Sequence, residues 1–255
     1  LLRWASLRKA GLDRCAQLLV GSAPASETTL RGLRSLGIEV HNAYGLTEAP
    51  LVALSRLGAN RIGAVGAPLP CTEVRIAEDG EVLVRGPQVM AGYFGPQEGQ
   101  PAPLRDGWLS TGDLGRLSAE GDLTITGRKK ELIKTSYGKY VQPAKVEALL
   151  HDIPGVAEAM VVGEQRPYCA ALLWTRGDAR DSSVLREIDR AILEANARLS
   201  HPEQVKRWAI LANDLSIEHG DLTANLKLKR QAVSQRLRAV IEALYAPQGA
   251  AASPA

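Results

Sequence analysis

The sequence predicts two successive bodies of mixed class: an α/β unit that runs into a small antiparallel sheet or barrel, then a compact α+β domain. Three observations carry this. A short apolar run, a capped amphipathic helix and a second apolar run follow one another over residues 17–41, the strand–helix–strand order of α/β domains. From Gly63 to Thr126 the pattern changes to short strands separated by turn residues. Beyond Gly127-Arg128 helical and strand patterns return, over a length that suits one small domain.

In order, Gln17–Val20 reads as a buried strand that enters a tight loop at Gly21-Ser22-Ala23-Pro24. Ser26 is placed to cap a helix with Leu30, Leu33 and Leu36 on its apolar face, and Gly37 stops it. Ile38–His41 reads as a strand and Asn42–Pro50 as a loop. Strands are predicted at Val74–Ala77, Glu81–Arg85, Leu114–Leu117 and Leu123–Thr126, with a surface loop over Phe94–Gly107. The second body holds a helix from Pro143 to about His151 and strands at Ala157–Val162 and Cys169–Thr175. Asp181 or Ser182 then caps a helix whose apolar face is Leu185, Ile188, Ile192 and Leu199. Trp208–Leu211 forms a last strand, and one closing helix carries Val233, Leu237, Val240, Ile241 and Leu244. The boundaries expected are 1–128, 129–246 and a frayed tail at 247–255.

Composition bounds the function. At roughly 150 residues per domain, 255 residues make one large domain or two modest ones. With 45% apolar and 23% charged residues the chain is globular rather than disordered. A net charge of +3 argues against a nucleic-acid partner and against a polybasic membrane anchor. Cys15, Cys71 and Cys169 are far apart and form no Cys-x-x-Cys pair, which speaks against a disulfide framework or a zinc site and for a reducing compartment. No apolar run approaches the roughly 18 residues of a membrane span. Leu1–Asp13 reads as mid-domain sequence, so the chain is expected to be a fragment.

Five segments carry chemistry: Gly21-Ser22-Ala23-Pro24, Tyr44-Gly45-Leu46-Thr47-Glu48, Ser110-Thr111-Gly112-Asp113, Gly127-Arg128 through Lys134, and Leu222-Thr223-Ala224-Asn225-Leu226-Lys227-Leu228-Lys229-Arg230. Singly each has an ordinary reading: a turn after a strand, a helix start capped by Thr47, a turn, a solvated basic face, a surface lysine. In this order and spacing they resemble the adenylate-forming enzymes, which include acyl-CoA synthetases, firefly luciferase and the adenylation domains of peptide synthetases. The resemblance runs from Leu18 to about Tyr245. Gly127–Pro143, Gly163–Tyr168 and the final lysine motif look most like long-chain fatty acid–CoA ligases.

The resemblance implies a fold and a set of roles. The chain would be the end of a large α/β AMP-binding domain plus a small mobile α+β C-terminal domain. ATP/AMP would be held by Gly21, Ser22, Ala23, Pro24, Asn42, Ala43, Tyr44, Gly45, Leu46, Thr47, Asp113, Arg128 and Lys227, with the glycine turn and the Tyr44 ring flanking adenine and Asp113 taking the ribose hydroxyls. Lys227, Thr47 and Glu48 would be catalytic, and Glu48 would also hold Mg²⁺. Lys130 would be the hinge, while Lys134, Ser136, Tyr137 and Gly138 would line the path of CoA. The partners implied are a fatty acid and CoA, with no nucleic acid. Peripheral contact with the inner membrane face and self-association of a fragment are left open, and the location expected is cytoplasmic. Ala224 and Asn225 stand where the family usually has proline and threonine, and Tyr137 where it has glycine. The family's Ser/Thr/Gly-rich phosphate loop ending in Pro-Lys-Gly does not occur in these residues, so this chain alone is expected to be inactive. Two other readings stay beside an acyl-CoA ligase: an inactive nucleotide-binding regulatory module, and an adenylation domain that loads a carrier protein.

Overall fold

A computed structural model describes residues 7–22, 25–94, 104–176, 182–211 and 215–246. The chain divides into two compact units, Leu1–Lys130 and Glu131–Ala255. The tail at 247–255, Asp181, and most of the loop expected over Phe94–Gly107 lie outside the described residues.

In the first unit β1 (Leu18–Val20) runs parallel to β2 (Val40–Leu46), joined by helix α1 (Glu27–Ser35). Ser26 caps α1, its Oγ accepting from the Thr29 amide at 3.3 Å, and Gly37 follows the helix with φ 78°. Leu30 is buried, but Leu36 is 58% exposed, because the helix ends one residue before it. β3 (Ala49–Leu54) returns antiparallel to β2, and β4 (Ala67–Pro68) pairs with β3.

The loop expected over Asn42–Pro50 is therefore a β-hairpin. Its polar residues disguised it: Asn42 Nδ2 donates to Ala64 O (3.1 Å) and Asn60 Nδ2 to Val40 O (2.9 Å), so amide side chains bind backbone that the ladder leaves over. Gly45 is required here, since a Cβ on it would lie 2.1 Å from the Pro50 carbonyl oxygen.

The second sheet of this unit contains β5 (Glu73–Ile76), β6 (Glu81–Arg85), β7 (Leu104–Arg105), β8 (Trp108–Leu117) and β9 (Leu123–Arg128). Its order is β5-β6-β8-β7, with β9 on the later half of β8. It is antiparallel throughout and open, so the barrel-like alternative is not the form adopted. Tyr44, Ala49, Val52 and Ala53 from the first sheet share one core with Val82, Val84, Leu109 and Leu123 from the second. That shared core brings β2 and β8 together.

Within the second unit a short hairpin of β10 (Ile133–Lys134) and β11 (Tyr140–Val141) precedes helix α2 (Pro143–His151). A three-stranded sheet follows, ordered β12 (Val156–Val162), β13 (Cys169–Thr175), β14 (Val205–Leu211), with helix α3 (Ser182–Asn196) connecting the parallel pair β13/β14. Six successive residues of β13, Cys169–Trp174, are buried, as a central strand covered on both faces demands. One face packs Val161, Ala171 and Leu173 against Val146, Leu150, Ile188 and Ile192. The other packs Met160, Leu172 and Trp174 against Val233 and Leu244. Truncating a side chain such as Leu172 or Leu173, each 0% exposed, costs about 2–5 kcal/mol in such cores. The single closing helix expected is two helices, α4 (Arg230–Arg236) and α5 (Arg238–Tyr245), broken at Leu237 (φ −98°, ψ 21°) so that Val233 and Leu244 reach the same sheet face.

Candidate nucleotide and acyl-transfer site

β1 ends at Val20, opposite Asn42, and parallel β2 runs four residues further to Leu46; ligands of open α/β sheets collect outside such carboxyl ends. Gly21 continues from β1 so close to β2 that a Cβ on it would lie 3.0 Å from Ala43 O. Ser22 follows in the left-handed region at φ 70°. Ala23 and Pro24 lie outside the described residues.

Tyr44 projects from β2 into the shared core, and its hydroxyl donates to Asp113 Oδ2 at 2.7 Å. Burial, then the Asp113 carboxylate, push the phenol well above its ordinary value, so it stays a donor. Asp113 Oδ1 pairs with Arg128 Nε at 3.2 Å, because β8 and β9 place these residues opposite one another. The Asp113 side chain is 6% exposed and that of Arg128 62%. A buried carboxylate thus carries one buried and one exposed partner.

Ser110–Asp113 has the composition of a turn but lies inside β8, where Gly112 takes φ 71°, the register to β6 shifts between Ser110 and Leu114, and that to β9 shifts at Leu114–Gly115. The turn residues mark a bulge, which re-aims Asp113. Thr111 Oγ1 donates to Val82 O (2.7 Å) and accepts from the Asp113 amide (3.1 Å).

Thr47 is exposed at the tip of the β2–β3 hairpin, so it caps no helix. Beside it Glu48 accepts from the Tyr93 hydroxyl at 2.6 Å through Oε1, while its carbonyl accepts from the Met90 amide at 2.8 Å. Tyr44, Asp113 and Arg128 are therefore brought together, Gly21 lies alongside Ala43, and Glu48 is held by its own partner.

The remaining expected residues belong to the boundary and the second unit. Lys130 is exposed, directly before the division between the units. Lys134, Ser136, Tyr137 and Gly138 lie on the β10–β11 hairpin, whose loop is tied by Thr135 N to Lys139 O (2.9 Å) and by Ser136 N to Arg166 O (3.0 Å). Lys134 Nζ sits 5.6 Å from the Tyr140 ring centroid, and Tyr137 is 75% exposed. Lys227 is exposed on a tight turn that Thr223 closes.

Comparison with known proteins places this geometry. The family description "AMP-binding enzyme" matches residues 3–94, and "AMP-binding enzyme C-terminal domain" matches residues 130–249. The chain belongs to the AMP-binding enzyme family. It is 37% identical over 265 aligned residues to the long-chain-fatty-acid–CoA ligase FadD15 of Mycobacterium bovis, covering 96% of this chain and 44% of the relative. It is 34% identical to the human long-chain-fatty-acid–CoA ligase 6, covering 93% of this chain and 39% of that protein. Among solved structures it resembles o-succinylbenzoate CoA synthetase (MenE) of Bacillus subtilis in complex with its acyl-adenylate intermediate, at 29% identity and a TM-score of 0.70 over 90% of this chain and 48% of that one. The chain spans less than half the length of the curated relatives it matches.

For this member of the AMP-binding family, the donor set at Glu48 suits Mg²⁺. That ion takes one or two carboxylates and completes its shell with phosphate and water, and a lone hard carboxylate offers this. Among the described residues no group of three or more His, Cys, Asp or Glu offers a closed metal site, and no helix is long and apolar enough to cross a membrane.

Sequence reasoning missed several residues that shape these sites. Glu81, 10% exposed, accepts from the Gly112 amide (2.9 Å) and from Lys129 Nζ (2.8 Å), so one carboxylate ties the bulge to the residue before Lys130. Lys129 also reaches Asp79 at 2.6 Å, and these hydrogen bonds, Asp79's first, raise its pKa. Tyr93, Asp221, Glu147 and Arg230 were likewise unassigned. The sequence carried a signal at Glu147, a charged residue on the helix face of Pro143 and Leu150, and none at Glu81, whose strand face also carries Arg85.

Proposed function

We propose that this chain serves an AMP-forming fatty acid–CoA ligase. In the first half-reaction a carboxylate oxygen attacks the α-phosphorus of ATP, the Pα–O bond to the β-phosphate breaks, and pyrophosphate leaves. In the second, the thiol of CoA attacks the acyl carbon, AMP leaves, and the thiol proton passes to solvent. The observation that carries the reading is the Tyr44–Asp113–Arg128 arrangement at the carboxyl end of β2.

Asp113, fixed from two sides, is a rigid acceptor for the two ribose hydroxyls. The Tyr44 ring and the Gly21–Ser22 turn offer the adenine its two faces, Ala23 and Pro24 belong to the same nucleotide motif, and Asn42, Ala43, Gly45 and Leu46 supply backbone around it. Thr47 donates to the α-phosphate from the exposed hairpin tip. Glu48 would hold Mg²⁺, which when bound offsets phosphate charge. Two anions must meet, and Lys227, a compact point charge on a flexible arm, bridges carboxylate and phosphate as they approach. Lys130 is the hinge about which the small domain exchanges Lys227 for the 134–138 hairpin, where CoA passes. The family's phosphate loop does not occur in these 255 residues, and a grip on the β- and γ-phosphates is needed for turnover. The names of the fatty acid–CoA ligases to which this chain is 34–37% identical support the acyl class of the substrate.

Lys227→Ala in the full-length gene product tests the reading. Loss of a cation aimed at developing charge costs about 3–4 kcal/mol, or 10²–10³ in rate. Carboxylate-dependent ATP–pyrophosphate exchange is expected to fall by that factor, and thioester formation from supplied acyl-AMP to persist. Equal loss in both half-reactions, or in neither, removes Lys227 from this role.

A further inference from the structure

Lys227 ends a flexible four-carbon arm, so the place where its charge is delivered depends on how its turn is anchored. The turn is closed internally: Leu226 N donates to Thr223 O (2.8 Å), Thr223 N to Lys227 O (2.8 Å) and Lys227 N to Thr223 Oγ1 (3.0 Å). Leu222 and Leu228 bridge its stem, and Leu226 takes φ 58°. These bonds shape the turn without attaching it to the body of the unit.

Two ion pairs supply the attachment, one on each side. On the entry side Asp221, its side chain 1% exposed, accepts from Arg236 Nε (2.8 Å) and from the Ser216 amide (3.2 Å), while its carbonyl accepts from the Lys229 amide (2.7 Å). On the exit side Arg230 Nη1 donates to Glu147 Oε1 (2.6 Å) and Arg230 Nη2 to Val161 O (2.7 Å). Glu147 Oε1 also accepts from the Val161 amide (2.7 Å), so the guanidinium, the carboxylate and the backbone of one residue of β12 form a closed set. The side chains of Arg230 and Glu147 are 21% and 14% exposed.

A pair this far from water is poor evidence of added stability, because desolvation offsets most of its attraction. Burial pushes the Glu147 carboxyl up, against Arg230 and the Val161 amide. What the pair does supply is geometry. A planar fork that reads a carboxylate and a carbonyl at once fixes direction as well as distance. Both anchors run through α4, which starts at Arg230, contains Arg236 and buries Val233 completely.

We infer that Arg230, held by Glu147 and Val161, is a positioning residue for Lys227: it fixes the exit of the turn so that the lysine ammonium is delivered to one place. This inference rests on the role proposed for Lys227 and adds the device that sets it.

Arg230→Lys keeps the charge and loses the fork, and Glu147→Gln keeps a carbonyl for the Val161 amide and loses the charge. Each is assayed in the full-length gene product beside Lys227→Ala and the double variant Arg230→Lys/Lys227→Ala. Misplacing a catalytic group by about 1 Å costs up to 10²-fold. The expected result for Arg230→Lys is a fall of about tenfold or more in kcat for carboxylate-dependent ATP–pyrophosphate exchange. The KM for ATP and thioester formation from acyl-AMP are expected to be unchanged. Added to Lys227→Ala, the change is expected to cause no further fall, since it acts through the lysine. Amides 221–229 should exchange hydrogen faster, with the melting temperature near that of the unaltered protein. Absence of exchange in the unaltered protein, or an unaffected Lys227→Ala, overturns the functional reading and this inference with it. A crippled Lys227→Ala beside an unaffected Arg230→Lys overturns this inference alone. So does a loss that strikes both half-reactions equally or multiplies in the double variant, either of which makes Arg230 a fold contact only.

Discussion

Tyr44→Phe separates two things the tyrosine does, because the ring stays and only the hydroxyl goes. The hydroxyl donates to Asp113 Oδ2 at 2.7 Å, and the Asp113 side chain is 6% exposed. Water cannot replace the lost donor there, so the variant bears the cost of leaving a charged acceptor short of a partner, about 2 kcal/mol. Arg128 limits the damage but does not abolish it, since its 3.2 Å contact is to the other oxygen and its side chain is 62% exposed. For a unit of this size such a loss lowers the melting temperature by roughly 4–8 °C. The assay is urea unfolding of the 255-residue chain, read by hydrogen exchange in peptides from β2–β3 and β8–β9. Asp113→Asn combined with Tyr44→Phe should cost less than the two single changes added together, because the under-paired charge is then gone. A Tyr44→Phe cost below about 0.5 kcal/mol, or strict additivity in the double variant, would refute the claim that this hydroxyl holds Asp113.

Two further predictions concern the boundary and the second unit. Lys130→Pro in the full-length gene product fixes φ near −65° at the expected hinge; single-turnover assays should find one half-reaction surviving and the other lost, whereas equal losses would indicate misfolding. His151 Nε2 lies 2.8 Å from Glu158 Oε1, and that hydrogen bond, followed by the nearby carboxylate charges, raises its pKa above 6.5 against the opposing effect of burial. A raised folded-state pKa means that the stabilisation is complete below the unfolded value and is lost as pH rises through the folded one. His151→Gln should therefore lower the melting temperature clearly at a pH of about 6 and much less at about 9, and an equal loss at both would exclude the charged pair.

The second unit was the more legible part of the fold, and physics says why. Pro143–His151 and Cys169–Thr175 stand in the structure at the bounds the sequence suggested, because an apolar run closed by a clear start or stop signal has one sensible reading. The first unit hid its strands where side chains bind backbone. Asn42 and Thr111 look like loop residues, yet each sits in a ladder with its polar group satisfied by a carbonyl from another element. Gly45 and Gly112 look like turn residues, yet one admits the Pro50 carbonyl and the other makes a bulge. The candidate site shows the same division. Tyr44, Asp113 and Arg128 could be named because their chemistry is local to short motifs, and a cross-strand register then brought Arg128 to Asp113. Glu81 and Glu147 could not, because a carboxylate's partner is fixed by topology: Lys129 is 48 residues from Glu81 and Arg230 is 83 from Glu147. Short motifs point to the groups proposed to meet a ligand. The groups that hold those in place are chosen by the fold, and only the folded chain discloses them.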